Sequence, residues 1–280
     1  MMARLLADRL NKKYNQRFIV ENRPGASGTI AAASVARSAA DGYTLLASAS
    51  SELTVVPSVR TGLQYDPEKD FEPVAITSQT TYLLVANASL PGKSLQDVIA
   101  YAKENPEKLS FGSYGQNTFT HLTGEYLQLL TGIKLLHVPY KGSGDLIPAL
   151  LGGQVDLSFN SPAEVLAHIE GGRIKGLAVT STDRLKADPS IPTSAEEGIP
   201  ELTARGWNGL MAPKGTPDEV LDELNTAINE ILRSEDVLRD LEARGIEPGG
   251  GSREVARDRI HTELKRWRDV VQKVGLQTMN

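Results

Sequence analysis

The residues best suited to chemistry on a small solute are hydroxyls, glycines and amides grouped where short apolar runs end. From Phe111 to His121 the order is Phe-Gly-Ser-Tyr-Gly-Gln-Asn-Thr-Phe-Thr-His. The apolar run Leu109 to Phe111 enters this stretch, and Leu122, Tyr126, Leu129 and Leu130 then recur at helical spacing. A strand, a small polar loop and a helix start leave unpaired main-chain N–H groups beside a partial positive charge. Asn117 and Thr118 are helix-capping types, and glycines let a ligand approach the backbone closely. The chemistry this supports is capture of a small anion by main-chain donors and hydroxyls. Taken alone, such a loop is more often a plain connector between strand and helix. Similar loops recur, however. Ser48-Ala49-Ser50-Ser51 follows the run Tyr43 to Ala47, and Asn160-Ser161 follows Val155 to Phe159 just before Pro162-Ala163-Glu164.

Other chemistries find less support. A nucleophile elbow needs Gly-x-Ser-x-Gly, and Phe111 stands where its first glycine belongs, so Ser113 reads as a ligand donor and no catalytic residue is assigned. His121 and Glu125 are spaced i, i+4 as metal ligands can be, yet no third ligand at suitable spacing accompanies them, and no metal or cofactor is assigned. The chain has no cysteine and a formal net charge of −5, which removes thiolate chemistry and argues against nucleic acid or an anionic membrane as partner. Tyr140-Lys141 fits a solvated turn and a ligand contact about equally. Trp207 reads as core or as packing along a crossing strand. The charged C-terminal helix, with Arg253, Arg257, Arg259 and Glu263, reads as a solvated face, with contact to a membrane partner as the second choice.

The elements that must position these loops alternate. A length of 280 residues suits one large domain or two lobes. After an opening amphipathic helix come a strand at Phe18 to Val20, a helix Ile30 to Ala39 capped by Ser27, and the strand Tyr43 to Ala47. Apolar runs at Val74 to Thr77 and Leu83 to Ala86 precede a helix capped at Ser94 that stops before Pro106. Beyond the central loop, Ile133 to Val138 is a strand leading into Pro139-Tyr140-Lys141-Gly142. In a parallel strand-helix-strand unit, both of its loops fall at the carboxyl edge of the sheet, where open α/β sheets bind ligands. Ser161 to Glu164 and Thr216 to Glu219 each match the capping-box pattern, and Trp207 to Ala212 is a strand. The opening helix lacks the continuous apolar centre of an export signal and has no strand before it. The expectation is a start that is truncated or misassigned.

Many short motifs fall in a familiar order: Glu21-Asn22-Arg23-Pro24-Gly25, Asp41-Gly42-Tyr43-Thr44-Leu45-Leu46, Asp70-Phe71-Glu72-Pro73-Val74, His121-Leu122-Thr123-Gly124-Glu125, His137-Val138-Pro139-Tyr140-Lys141-Gly142, Gly152-Gly153-Gln154-Val155-Asp156 and Ala212-Pro213-Lys214-Gly215-Thr216-Pro217. Over essentially its whole length the chain resembles the tripartite tricarboxylate transporter receptors, the Bug family of extracytoplasmic solute-binding proteins. The resemblance implies an α/β, two-lobed fold of the type II periplasmic binding proteins, with lobes joined by two crossing strands and closing by a hinge on a small carboxylate. Residues 1–88 and 205–280 would form one lobe and 89–204 the other. Implied ligand contacts are Ser50 and Ser51 on the first loop. Ser113, Gly115, Thr118 and His121 follow from the central loop and helix start, Tyr140 from the cleft mouth, and Asn160 and Ser161 from the third loop. Implied partners are the carboxylate and membrane transporter subunits, with no nucleic acid. The protein would be a monomer in the periplasm and no enzyme. The family's strand and glycine loop ahead of the first helix are absent, which removes expected donors.

Two other classes compete with this reading: an α/β hydrolase-like enzyme, and the ligand-sensing effector domain of a regulator. Neither a triad nor a DNA-binding segment is visible in the sequence. Which acid is bound stays open, because backbone donors read a carboxylate and not what it is attached to.

Overall fold

The computed structural model describes residues 1–243 and 246–276. The chain folds as two compact units, one containing Met1–Gln79 and Trp207–Asp269, the other Thr80–Gly206 and Val270–Leu276. The first unit opens with helix α1 (Met2–Tyr14), whose Leu6 and Leu10 are buried one turn apart. No strand forms at Phe18 to Val20. The Phe18 N–H is taken by the Asn11 side chain instead of a neighbouring strand, and an extended segment without a ladder is coil. Ser27 does not cap the next helix. It lies in the short turn Ala26–Gly28 at φ 54°, and α2 spans Thr29–Ala36. Strand β1 (Leu46–Ala49) sits later than expected because the Tyr43 N–H is held in a turn by Asp41. A wide, π-helical turn, Ser51–Val55, runs into α3 (Val56–Val59), and β2 (Phe71–Thr81) leads towards the second unit.

The second unit alternates cleanly: β3 (Leu83–Asn87), α4 (Leu95–Glu104), β4 (Ser110–Ser113), α5 (Phe119–Thr131), β5 (Leu136–Pro139), α6 (Ser143–Leu151), β6 (Leu157–Asn160), α7 (Pro162–Glu170) and β7 (Ile174–Val179). The sheet order is β5-β4-β6-β3-β7. Strands β5 and β6 run parallel to β4, whereas β3 runs antiparallel to both β6 and β7. The expected parallel unit therefore forms, and the ends of β4, β5 and β6 meet at one edge. Because Leu83 pairs with Asn160, the start of β3 reaches the same edge. Residues 83–87 lie on the first-lobe side of the boundary expected at 88/89, yet β3 is an inner strand of this second sheet.

Alternation along β3 shows how the sheet is covered. Leu84 and Ala86 pack with Val98, Ile99, Phe111 and Leu127, while Leu83 and Val85 pack with Leu146, Leu150 and Val165. Successive side chains point to opposite faces, so helices α4 and α5 cover one face and α6 and α7 the other. Gly124 of α5 leaves room for the Phe111 ring, since a Cβ there would collide with it.

Strand β8 (Arg205–Pro213) returns to the first unit, followed by α8 (Asp218–Arg233), α9 (Glu235–Ala243), β9 (Glu247–Pro248) and α10 (Arg253–Val274). The first unit's sheet runs β1-β8-β2-β9, with β1 antiparallel to β8. The chain passes between the units inside the long strands β2 and β8, and again near the end of α10, between Asp269 and Val270. The Thr216 capping box is not made. Its hydroxyl turns back to the Pro213 carbonyl and α8 begins at Asp218. Trp207 is core, 2% exposed, with its indole N–H donated to the buried carboxylate of Glu263 at 2.8 Å. Helix α10 is accordingly more than a solvated face: Glu263 also accepts from Arg259, and the buried Arg253 pairs with Asp218 and Asp222.

Candidate functional site

The three hydroxyl-bearing loops are built alike and used differently. In the first unit, Ser50 precedes the Ser51–Val55 turn and is buried. There the loop's donors meet the protein's own carboxylate. The Ala49 N–H donates to Glu52 Oε1 at 2.6 Å, and the Ser51 hydroxyl to Glu52 Oε2 at 2.7 Å. Burial pushes the Glu52 carboxyl above its usual range, an effect the Ser51 and Ala49 donors only partly offset.

At the end of β6 the pattern repeats. The Ser161 N–H and hydroxyl both donate to Glu164 Oε2, at 2.9 and 2.8 Å, and the Tyr114 hydroxyl donates to the same oxygen. Burial raises the Glu164 carboxyl, but the Tyr114, Ser161 and Ser143 hydroxyls outweigh it and hold the group below the ordinary glutamate range. Asn160 is fully buried, its amide N–H donated to the Tyr114 hydroxyl at 3.2 Å and its oxygen accepting from Ser158. The Asn160 and Ser161 groups are thus committed within the protein.

The β4–α5 loop differs. Among the described helices of the second unit, α4, α6 and α7 carry an acidic residue in the first turn (Asp97, Asp145 and Glu164), whereas α5 carries none. Its cap is neutral: Thr118 Oγ1 accepts the His121 N–H at 3.5 Å and donates to the Gly115 carbonyl at 2.7 Å. Asn117 adopts the left-handed conformation, φ 59°, and its Oδ1 is buried without a partner. Gly115 sits at φ +131°, where a Cβ would press to 3.4 Å from the Tyr140 carbonyl oxygen. The helix start therefore has partial positive charge, half-buried backbone and an unsatisfied side-chain acceptor, with no internal anion among its described partners.

Ser113 and His121 lie beneath this loop and shape it. Ser113 is fully buried. Its hydroxyl donates to the Gly115 carbonyl at 3.0 Å, accepts the Gly115 N–H at 3.2 Å and lies 2.7 Å from His137 Nε2. His121 is 1% exposed, with Nδ1 accepting the Asn117 N–H at 3.0 Å and Nε2 lying 3.4 Å from Glu125 Oε1. The two imidazoles stack, centroids 3.8 Å apart and planes 18° from parallel, and Phe111 stacks on His137 at 4.8 Å. Burial first, and then the neighbouring His121, lower His137 to about 4. Tyr140 is half-buried beside Gly115, its N–H donated to the Ser113 carbonyl, while Lys141 is exposed. No cluster of three metal-ligating side chains occurs among the described residues.

Residue types and spacing did not single out His137, Tyr114 or Glu52, and marked Asn117 only as a helix-capping type. A signal for the open cradle was nonetheless present: the first turn of α5 reads Phe-Thr-His, without the carboxylate found at Asp97, Asp145 and Glu164. His137 required the strand register, which sets it beside Phe111.

A two-sheet α/β chain that crosses between its units along two long strands, with parallel strand ends and helix starts gathered at one edge, has the architecture of the periplasmic binding proteins. The profile of the tripartite tricarboxylate transporter family receptor matches residues 2–276, and the chain belongs to that family. It is 39% identical over 276 residues to Protein BugT of Bordetella pertussis, covering 98% of this chain and 85% of BugT. Among solved structures it is similar to an R. palustris protein with adipate, at 36% identity and TM-score 0.81, covering 98% of this chain and 92% of that one. It is also similar to MatC from Rhodopseudomonas palustris with bound malate, at 30% identity and TM-score 0.77, covering 96% and 93%.

Proposed function

We propose that this protein is a periplasmic solute receptor that holds a small carboxylate at the N-terminus of α5 and passes it to a tripartite tricarboxylate-type membrane transporter. The observation that carries the reading is the unfilled helix start: of the three hydroxyl loops, those at Ser51 and Ser161 close on Glu52 and Glu164, and only the loop from Ser113 to Thr118 lacks a carboxylate of its own. A solute carboxylate would complete it as Glu164 completes α7. Gly115 and Thr118 are the proposed contacts, with Tyr140 beside them, while Ser113 and His121 act from below by fixing the loop. The adipate and malate held by similar proteins support a carboxylate of this size.

Catalysis is not part of the proposal. Ser113 and His137 approach as a nucleophile and base would, but the serine has no exposed surface and its hydroxyl closes the loop on the Gly115 carbonyl. The receptor would act as a monomer.

The test is a melting-temperature screen of the purified protein against adipate, malate, succinate and citrate. A cognate acid at a hundred times its Kd should stabilise by about 2.7 kcal/mol. No shift with any carboxylate, or turnover of one, would overturn the proposal.

A further inference from the structure

The histidine stack beneath the β4–α5 loop grips both ends of that loop. His137 Nε2 faces the Ser113 hydroxyl at the start of the loop, and His121 Nδ1 accepts the Asn117 N–H at its end. The loop between them, with Gly115 at φ +131° and Asn117 at φ 59°, is held in a backbone shape that costs free energy unless its surroundings fix it. We propose that His121 and His137 are positioning residues that clamp the ligand loop from both ends, and that the clamp holds only while His121 Nδ1 carries a lone pair. The proposal rests on the reading of this loop as the carboxylate cradle.

The chemistry is definite about charge. A nitrogen that accepts a backbone N–H cannot also carry a proton, so protonated His121 must give up Asn117. Two imidazoles stacked at 3.8 Å also disfavour a second positive charge. The Glu125 carboxylate on the same helix faces His121 Nε2 at 3.4 Å. The other described neighbours of the pair are uncharged: Phe111 and Ser113 on β4, and Asn117 on the loop. Acid is therefore the direct way to probe the clamp, because a proton on Nδ1 removes the acceptor of the Asn117 N–H. The outcome is a cradle that loosens when His121 Nδ1 is protonated and grips again when the proton leaves.

The discriminating variant is His121→Asn, because an asparagine Oδ1 can stand where His Nδ1 stands and accept the Asn117 N–H without titrating. Amide hydrogen-exchange protection at Gly115 and Asn117 is measured in the ligand-free protein at pH 7.5 and pH 5, for the wild type and His121→Asn. The expected result is roughly tenfold loss of protection in the wild type on acidification and retention in the variant, the scale of one hydrogen bond. Affinities for adipate and malate at the same two pH values give the second readout. Comparing both proteins with one acid at one pH cancels the ionisation of the acid, and wild-type affinity should fall roughly tenfold further than that of His121→Asn. Protection that is independent of pH in the wild type, or that falls equally in both proteins, overturns the clamp. If no acid binds while exchange behaves as expected, the receptor reading fails and the clamp stands. If acids bind with pH-independent protection and affinity, the receptor reading stands and the clamp fails.

Discussion

Helices α5 and α7 start from the same sheet edge, after the neighbouring parallel strands β4 and β6, yet one start is closed and the other open. In α7 the Glu164 carboxylate occupies the position where a solute anion would sit, taking the Ser161 N–H and two hydroxyls. In α5 the equivalent turn holds His121, whose ring is drawn down into the stack with His137 and Phe111, so the first turn carries no acidic side chain to neutralise the helix end. Helix starts are generic anion sites, and what makes one available for function is the absence of a built-in anion.

The sharpest way to break the contrast is to close α5 as α7 is closed. Thr118→Asp keeps a strong cap but places a negative charge at the cradle. It should leave the melting temperature within a few degrees while weakening adipate or malate binding roughly a hundredfold, the loss expected when charge-assisted bonds are replaced by repulsion. Calorimetric titration would show it, and unchanged affinity would mean the anion sits elsewhere. Gly115→Ala should come next. A Cβ at φ +131° strains the loop by about 1 to 2 kcal/mol, lowering stability by that amount and affinity about tenfold.

Glu164→Gln tests the closed helix. It should cost about 1 kcal/mol of stability at pH 7 with little change in carboxylate affinity. The native carboxyl is held below its ordinary range, so its contribution is present above the unfolded glutamate range and fades as the pH falls through the lowered folded value. Denaturant melts of wild type and variant should therefore converge in acid. Glu52→Gln should have the smallest effect and the opposite sign. Burial raises the Glu52 carboxyl, so the native state resists its ionisation and stability declines as the pH rises past the ordinary glutamate range. The variant should flatten that decline, visible as a narrower gap between melts at pH 5 and pH 8.

Local chemistry made much of this legible in the sequence. Ser94 with Asp97, and Glu164 reaching back to Ser161, mark helix starts because the bonds that define them span three residues. The parallel β4-α5-β5 unit and its shared edge followed from alternation alone. Features that depend on distant partners were not visible. Phe18 to Val20 has strand-like residues but no ladder, and Thr216 has a capping sequence whose hydroxyl finds a nearer carbonyl. The antiparallel direction of β3 and the meeting of His121 with His137 depend on sheet order and register, which no single segment encodes. The candidate stretches do lie at strand ends, although the first is no loop, since Ser48 and Ala49 belong to β1 and Ser50 and Ser51 run straight on as helical turn, and which stretch lacked an internal anion emerged only from where Glu52 and Glu164 turn.

The burial of Trp207 has a practical side. The chain's two tryptophans, Trp207 and Trp267, are both buried in the first unit, while Thr80–Gly206 of the second contains none. Indole fluorescence therefore watches one half of the molecule unfold and is blind to the start of disorder in the other. Followed alongside backbone circular dichroism in a urea series, it would reveal whether the halves melt together or in sequence.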